Sequence, residues 1–581
     1  MRSNLYFINK KVSINILFLI PFTILLFIFI FTSAKNVYSR DWRENHYGAF
    51  LSSQIARANM DIENSAYFSK MVFDKNEDSP ALAIMAIEAL ASNGQIGDAI
   101  KITNNMKNID SIALALYLKS IHHLNEGNYE ALKLSLTKVS PNGIDSYIIP
   151  ILQAWASAGL RNHEESIRHL NNQADKGILS PIYDYHLALI NDWVGEYTSA
   201  KQKYEDAITR SNTPNAKLFI SASSFFERRQ LYELRDLVDK KFEKTMPDSS
   251  ELLIFETKKN KFNPSKPLVT NIREGIAETF LNTSEILYNE GLVTQALIYS
   301  QIAFFLNRDL DNAKLILGNI FKANQNYDRA IKYYKSIKDD SYLSIKSKIA
   351  IAKCLSEMQK SHEAISSLEY SGDQYKDNYN YLKTIAEIYY DIKDFKNSTQ
   401  YYEKIFSKIP KMEERHWPLL YANGIALERD NRWEQAEEKF KQALAFSPDQ
   451  PLILNYLAYS WIDQGRKLDL AMTMIKKALE GRPNDGYIVD SLGWAYYQVG
   501  EYHSAVENLE KAVELVSSDA IIIDHLGDAL FYSGRKIEAK FQWKRALEFD
   551  PQEDLILQLN NKIKGLSIPK PGVKAPSSKN M

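Results

Sequence analysis

The sequence predicts an all-α solenoid of tandem helical hairpins, set in two arrays behind an N-terminal apolar helix. Three observations carry that expectation. Residues 486–553 hold two copies of one 34-residue unit, in which Leu492, Gly493, Gly500, Ala505 and Ala512 return as Leu526, Gly527, Gly534, Ala539 and Ala546. Recurrence at such a period marks a chain whose units bury their apolar faces against their neighbours. Each unit reads as two helices. Val489, Leu492, Gly493 and Tyr496 fall at helical spacing, Gly500 suits a helix end, and Ala505, Leu509 and Ala512 line a second helix starting at Tyr502. The 581 residues are 45% hydrophobic and 25% charged, with 34 Tyr and 26 Phe. That supplies several cores without metal or disulfide, with aromatic rings to fill the spaces between paired helices.

Taken in order, Arg2, Lys10 and Lys11 precede an apolar run from Ile14 to Thr32. At about 1.5 Å per residue this run nearly matches the roughly 30 Å of a bilayer's hydrocarbon core. Residues 1–39 therefore read as a signal peptide or a signal anchor, the apolar helix covering about 14–33. Val37 and Ser39 are small enough for cleavage near Ser39, and retention in the inner membrane is the other fate. Positive charge on the short side favours an internal N-terminus and external repeats. For a bacterial chain that is the periplasm. Cys354 is the one cysteine, so an intramolecular disulfide and a lipidated mature N-terminus are both excluded. Its neighbours Ala352 and Leu355 suggest a buried, inert thiol.

A degenerate array is expected over 45–247, where Ser166 and Ala200 keep the 34-residue spacing and Ala66, Ala99 and Ala131 follow it approximately. Residues 248–270 read as a linker, because Thr257–Thr270 is basic, carries two prolines and lacks a helical period. A long loop inside one continuous superhelix is the alternative. The second array spans 271–560. Ala296, Ala330, Ala364 and Ser398 are spaced by 34. The pattern is clearest over 415–553, where Gly424, Ala436, Phe440 and Ala443 close at Pro448 and Gly465, Ala471 and Ala478 close at Pro483. The tail 565–581, with three prolines and three lysines, reads as disordered.

Small residues in each helix, a large residue four after the second-helix alanine and a closing proline together resemble the tetratricopeptide repeat (TPR) family. The segments LNYLAYSWIDQGR and DSLGWAYYQVGEY are similar to those of long bacterial envelope TPR proteins. In that family the first helices line a concave groove that holds extended peptides. The resemblance then places Asn455, Tyr459, Asp463, Asp490, Trp494, Tyr497, Gln498, Asp524, Asp528 and Tyr532 in an aromatic and acidic peptide-binding groove. The aspartates would repel a terminal carboxylate, so the carboxylate-clamping mode of some TPR domains does not fit. Packing of Trp494, Tyr497 and Phe531 on adjacent first helices is the competing reading.

Charge and motifs exclude other classes. Residues 411–560 hold 17 Lys and Arg against 25 Asp and Glu, a balance of −8 with the wrong sign for a nucleic-acid backbone. No nucleophile elbow, phosphate loop, zinc-protease helix or paired Cys-x-x-Cys is present. Adjacent His122 and His123 point to different helix faces, His163 and His169 are also off-face, and His503 and His525 read as surface or packing residues. No catalytic residue, metal site or small-molecule cofactor is expected. The expected function is a non-catalytic scaffold or adaptor of the cell envelope, its partners other envelope proteins or peptides, with membrane attachment through the N-terminal helix if it is uncleaved. The alternative is an accessory subunit required by an envelope enzyme such as a processing protease or cell-wall enzyme.

Overall fold

The computed structural model describes residues 46–565 and Ile568, except 107–111, 175, 176, 178, 212–214, 248, 250–266, 371–374, 376 and 377. The apolar run, the cleavage point near Ser39 and nearly all of the basic tail lie outside the described residues. Among the described residues the chain is helical and has no strand, and no helix is long and apolar enough to cross a membrane.

Among the described residues twenty-nine α-helices follow one another. The first sixteen are α1 (His46–Ala58), α2 (Ile62–Asp74), α3 (Pro80–Ser92), α4 (Ile96–Asn105), α5 (Ala113–Asn125), α6 (Tyr129–Thr137), α7 (Asp145–Gly159), α8 (His163–Ala174), α9 (Ser180–Val194), α10 (Tyr197–Arg210), α11 (Ala216–Arg228), α12 (Tyr232–Thr245), α13 (Ile272–Asn289), α14 (Val293–Leu306), α15 (Asp311–Ala323) and α16 (Tyr327–Lys335). Then come α17 (Ser344–Glu357), α18 (Ser361–Tyr370), α19 (Tyr379–Asp391), α20 (Phe395–Lys408), α21 (Trp417–Arg429), α22 (Trp433–Phe446), α23 (Pro451–Asp463), α24 (Leu468–Gly481), α25 (Gly486–Gln498), α26 (Tyr502–Leu515), α27 (Ala520–Tyr532), α28 (Lys536–Ala546) and α29 (Glu553–Ile563). They form an α-solenoid built of hairpins, in which α9 pairs with α10, α13 with α14 and α25 with α26.

Two local rules recur along the hairpins. The first helix ends on a residue with positive φ. Glycine supplies it at Gly94, Gly127, Gly195, Gly291, Gly465, Gly500 and Gly534, but Met60, Arg161, Gln230, Gln325, Gln359, Lys393 and Asn431 adopt it as well, at φ between 49° and 63° with the other non-glycine cases. The turn then closes with a backbone bond reaching back five residues, as from Arg535 N–H to Leu530 C=O, a Schellman-type end. The second rule is a small residue facing a large one sixteen positions later. A Cβ on Gly493 would meet Leu509 at 2.6 Å, and one on Gly527 would meet Trp543 at 2.4 Å. Only a bare backbone lets those helices close up at these points.

The chain divides into two compact units between Cys354 and Leu355, not at 248–270. In the first unit, the helices after the expected linker share a core with those before it. Helix α13 lies against α7 and α9, and α14 against α3. A Cβ on Gly275 of α13 would strike the Trp155 indole of α7 at 2.4 Å. Tyr117 of α5 meets Phe280 and Tyr299 edge-on, at centroid distances of 5.7 and 6.1 Å. Lys217 Nζ of α11 sits 2.6 Å from Glu278 of α13 and donates to Asn282 Oδ1 at 2.6 Å. Arg329 donates to the Asn93 carbonyl at 3.1 Å. The proline-bearing segment suggests a joint because it breaks the helical period, while the pairing across it depends on residues far apart in the chain, from Lys217 with Asn282 to Arg329 with Asn93. Cys354 is fully buried, as its neighbours suggest.

Candidate ligand face of the C-terminal repeats

In the second unit the first helices of successive hairpins run side by side, α23 beside α25 and α25 beside α27. Asp485 and Asp519 cap α25 and α27 by accepting backbone N–H groups, which fixes the register in which each helix presents its residues. All ten residues expected from the sequence lie on these three helices.

Their surroundings differ sharply along the row. Asp463 is exposed, and Asn455, Tyr459, Gln498 and Tyr532 are half-buried. Asp490, Trp494, Tyr497, Asp524 and Asp528 are buried. Trp494 is stacked between His525, with centroids 4.1 Å apart and planes at 19°, and Tyr497, at 4.7 Å and 16°. Tyr532 stacks on Tyr502 at 5.4 Å. Asp490 Oδ1 lies 2.9 Å from His525 Nδ1. Asp524 accepts from Lys562 Nζ through both oxygens at 2.8 Å, and Asp528 accepts from Lys562 at 2.8 Å and from the Trp543 indole at 3.1 Å.

The expected acidic groove is therefore corrected at its C-terminal end. There the carboxylates and rings are held by the protein's own groups, so Asp490, Trp494, Tyr497, Asp524 and Asp528 serve packing, the competing reading for the aromatic pair. A charged group this deep is stable only with a partner, and His525 and Lys562 are those partners. Burial opposes the charged form of His525, but the Asp490 carboxylate beside it, with Asp524 and Asp528, outweighs that and raises its pKa. Burial also raises Asp528, to about 7, with the Asp524 charge adding to the rise and Lys562 working against it. In the sequence His525 reads as a bland packing residue, and Lys562 stands outside the expected site. A signal for Lys562 is nonetheless present: it stands 34 residues after Asp528, which stands 34 after Trp494. Helix α29 thus stands where the first helix of a further repeat would, and its lysine occupies the next place in the row.

Towards α21 the row stays accessible. Glu428 accepts from Tyr456 Oη at 2.5 Å and from Ser460 at 3.2 Å, which orients α23 beside α21. Burial raises the Tyr459 hydroxyl well above its usual range, with nearby Asp463 and Asp490 adding to the effect, so it is a neutral donor. Asn455 Oδ1 and Trp494 Nε1 are buried and have no hydrogen-bond partner among the described residues. This arrangement offers aromatic area, neutral donors and acceptors, and one exposed carboxylate.

Tandem helical hairpins with this small-to-large packing define a helical-repeat interaction protein. The chain carries tetratricopeptide repeats, matching that family's models over residues 421–486 and again over 490–516. It is 33% identical over 87 residues to a TPR repeat-containing protein of Pseudomonas aeruginosa, a match covering 15% of this chain and 15% of the relative. Among solved structures it is similar to the APC/C hetero-tetramer Cut9–Hcn1, with TM-score 0.38 and 13% identity over 93% of this chain and 98% of that one. It is also similar to yeast Tom70, with TM-score 0.34 and 12% identity over 78% of this chain and 95% of that one.

Proposed function

We propose that the protein is a non-catalytic adaptor of the bacterial cell envelope that holds extended segments of partner proteins on the α21–α25 face. The carrying observation is the contrast within one row of first helices. Its C-terminal end is filled by the protein's own Lys562 and His525, whereas Asn455, Tyr459, Asp463 and Gln498 keep accessible surface. An extended peptide exposes main-chain N–H and C=O groups that such side chains can pair, and Asp463 favours a basic side chain nearby. The envelope assignment rests on Arg2, Lys10 and Lys11 ahead of the apolar run from Ile14 to Thr32, which either anchors the chain or is removed near Ser39.

The test is cross-linked affinity purification of the full chain through a C-terminal tag, comparing it with a Tyr459→Ala, Asp463→Lys variant. The variant should lose the captured partner and keep its helicity. Undiminished capture would move binding off this face. Mapping the bait's N-terminus in each cell fraction checks location. A mature end near Arg40 marks cleavage, intact chain in the membrane fraction marks an anchor, and intact chain confined to the cytosol sinks the envelope reading.

A further inference from the structure

We infer that His122, His123 and Glu126 form a site for a borderline divalent transition cation, with zinc as the reference ion. Neighbouring residues on a helix project about 100° apart, which argues against two adjacent histidines acting together. The end of α5 removes that objection. Asn125 is the last helical residue, Glu126 caps the helix, and Gly127 turns the chain at φ 71°. Glu126 thereby lies one turn beyond both imidazoles. His122 Nε2 is 3.4 Å from Glu126 Oε1, and His123 Nδ1 is 3.5 Å from Glu126 Oε2. The rings tilt by 47° with centroids 5.4 Å apart, and one ligand atom from each of the three residues lies within 4.8 Å of the others.

Those separations fit a shared ion. Ligand atoms bound tetrahedrally at about 2.0–2.1 Å sit about 3.3–3.4 Å from one another. The two His–Glu spacings are close to that edge length, and the three ligand atoms, within 4.8 Å of one another, would draw together around the ion. The contacts are also poor as hydrogen bonds, since 3.4–3.5 Å exceeds the usual range, and His123 Nδ1 is buried with no hydrogen-bond partner among the described residues. Two imidazole nitrogens with one carboxylate suit zinc, copper(II) or nickel over calcium or magnesium, which take oxygen ligands. Water would complete the coordination, because all three side chains keep solvent-exposed surface.

The site's position gives it a structural consequence. Asn125, the residue before Glu126, accepts a hydrogen bond at Oδ1 from Arg273 of α13. An ion tying the last turn of α5 to its cap would stiffen the end of α5 that receives α13.

Calorimetric titration of the full chain, purified without a histidine tag, with zinc chloride tests this. The chain has ten histidines, so location must be shown as well as binding. One equivalent should be lost in both His122→Asn and Glu126→Gln, with unchanged far-ultraviolet circular dichroism and a rise in unfolding temperature on adding zinc to the parent only. Zinc uptake equal in parent and variants, or no uptake at all, would overturn the assignment. Equal uptake of calcium or magnesium at these residues would overturn the choice of ion.

Discussion

The two compact units use the same hairpin and dispose of its first-helix face in opposite ways. In the first, α13 and α14 return to pack on α7, α9 and α3, so that face becomes interior and carries Trp155, His186, Lys217 and Glu278 into a shared core. In the second, only the last hairpins are covered, by α29 through Lys562, and the part near α23 keeps exposed polar groups. A repeat does not by its own sequence determine whether its face binds a ligand or a neighbour. The helices placed after it along the chain decide that.

The largest expected effect tests the covered end of the second unit. Lys562→Ala leaves Asp524 and Asp528 buried without their cation and should cost about 3–5 kcal/mol. Chemical denaturation should show the loss, and the added changes Asp524→Asn and Asp528→Asn should recover most of it. No loss would mean that α29 does not hold the end closed. Next, Gly275→Val drives a side chain into the Trp155 indole and should cost about 1–3 kcal/mol through overpacking. It should also quicken proteolysis at Lys258–Lys266, since closure of the first unit depends on that contact. Unchanged cleavage there would return the segment to the role of an independent joint.

The pH response of the two buried histidines, one in each unit, should have opposite signs. In the first, burial and then the nearby Lys217 charge depress His186 to about 3, so its contribution is present above its ordinary value and is lost as pH falls towards 3. In the second, His525 and Asp528 are both raised. Their contribution is complete below their ordinary values and is lost as pH climbs through about 7 for Asp528 and through the raised value of His525. Hydrogen exchange of 180–194 and 520–532, corrected for intrinsic rates, should show acid loosening the first segment and alkali loosening the second. Parallel responses would break the contrast.

The smallest effect concerns the turns both units share. Lys393→Gly should stabilise by up to about 1 kcal/mol, because an L residue in the left-handed region costs roughly 1–2 kcal/mol and glycine returns part of that as chain entropy. Gly500→Ala should lose a similar amount. Thermal unfolding of the two variants checks the pair.

Particular residues show how much could be read beforehand. Gly500 and Gly534 gave their hairpins away. Gln325, Gln359, Lys393 and Asn431 hold the same turn with no glycine to mark it, which is why the repeat signal fades upstream while the structure does not. The ten expected site residues fall on three adjacent first helices because a 34-residue period fixes which positions share a face. Their accessibility was not legible, since burial of Asp524 and Asp528 depends on a lysine contributed by another helix.

The sequence by itself determined the helical class, the 34-residue period and the row of first-helix residues, because these arise from local spacing and side-chain size. The tertiary structure alone decided that residues on either side of 257–270 share one core and that half of the predicted groove is sealed. Both outcomes rest on contacts between distant residues, such as Gly275 with Trp155 and Lys562 with Asp524, whose energies arise only once the helices have met.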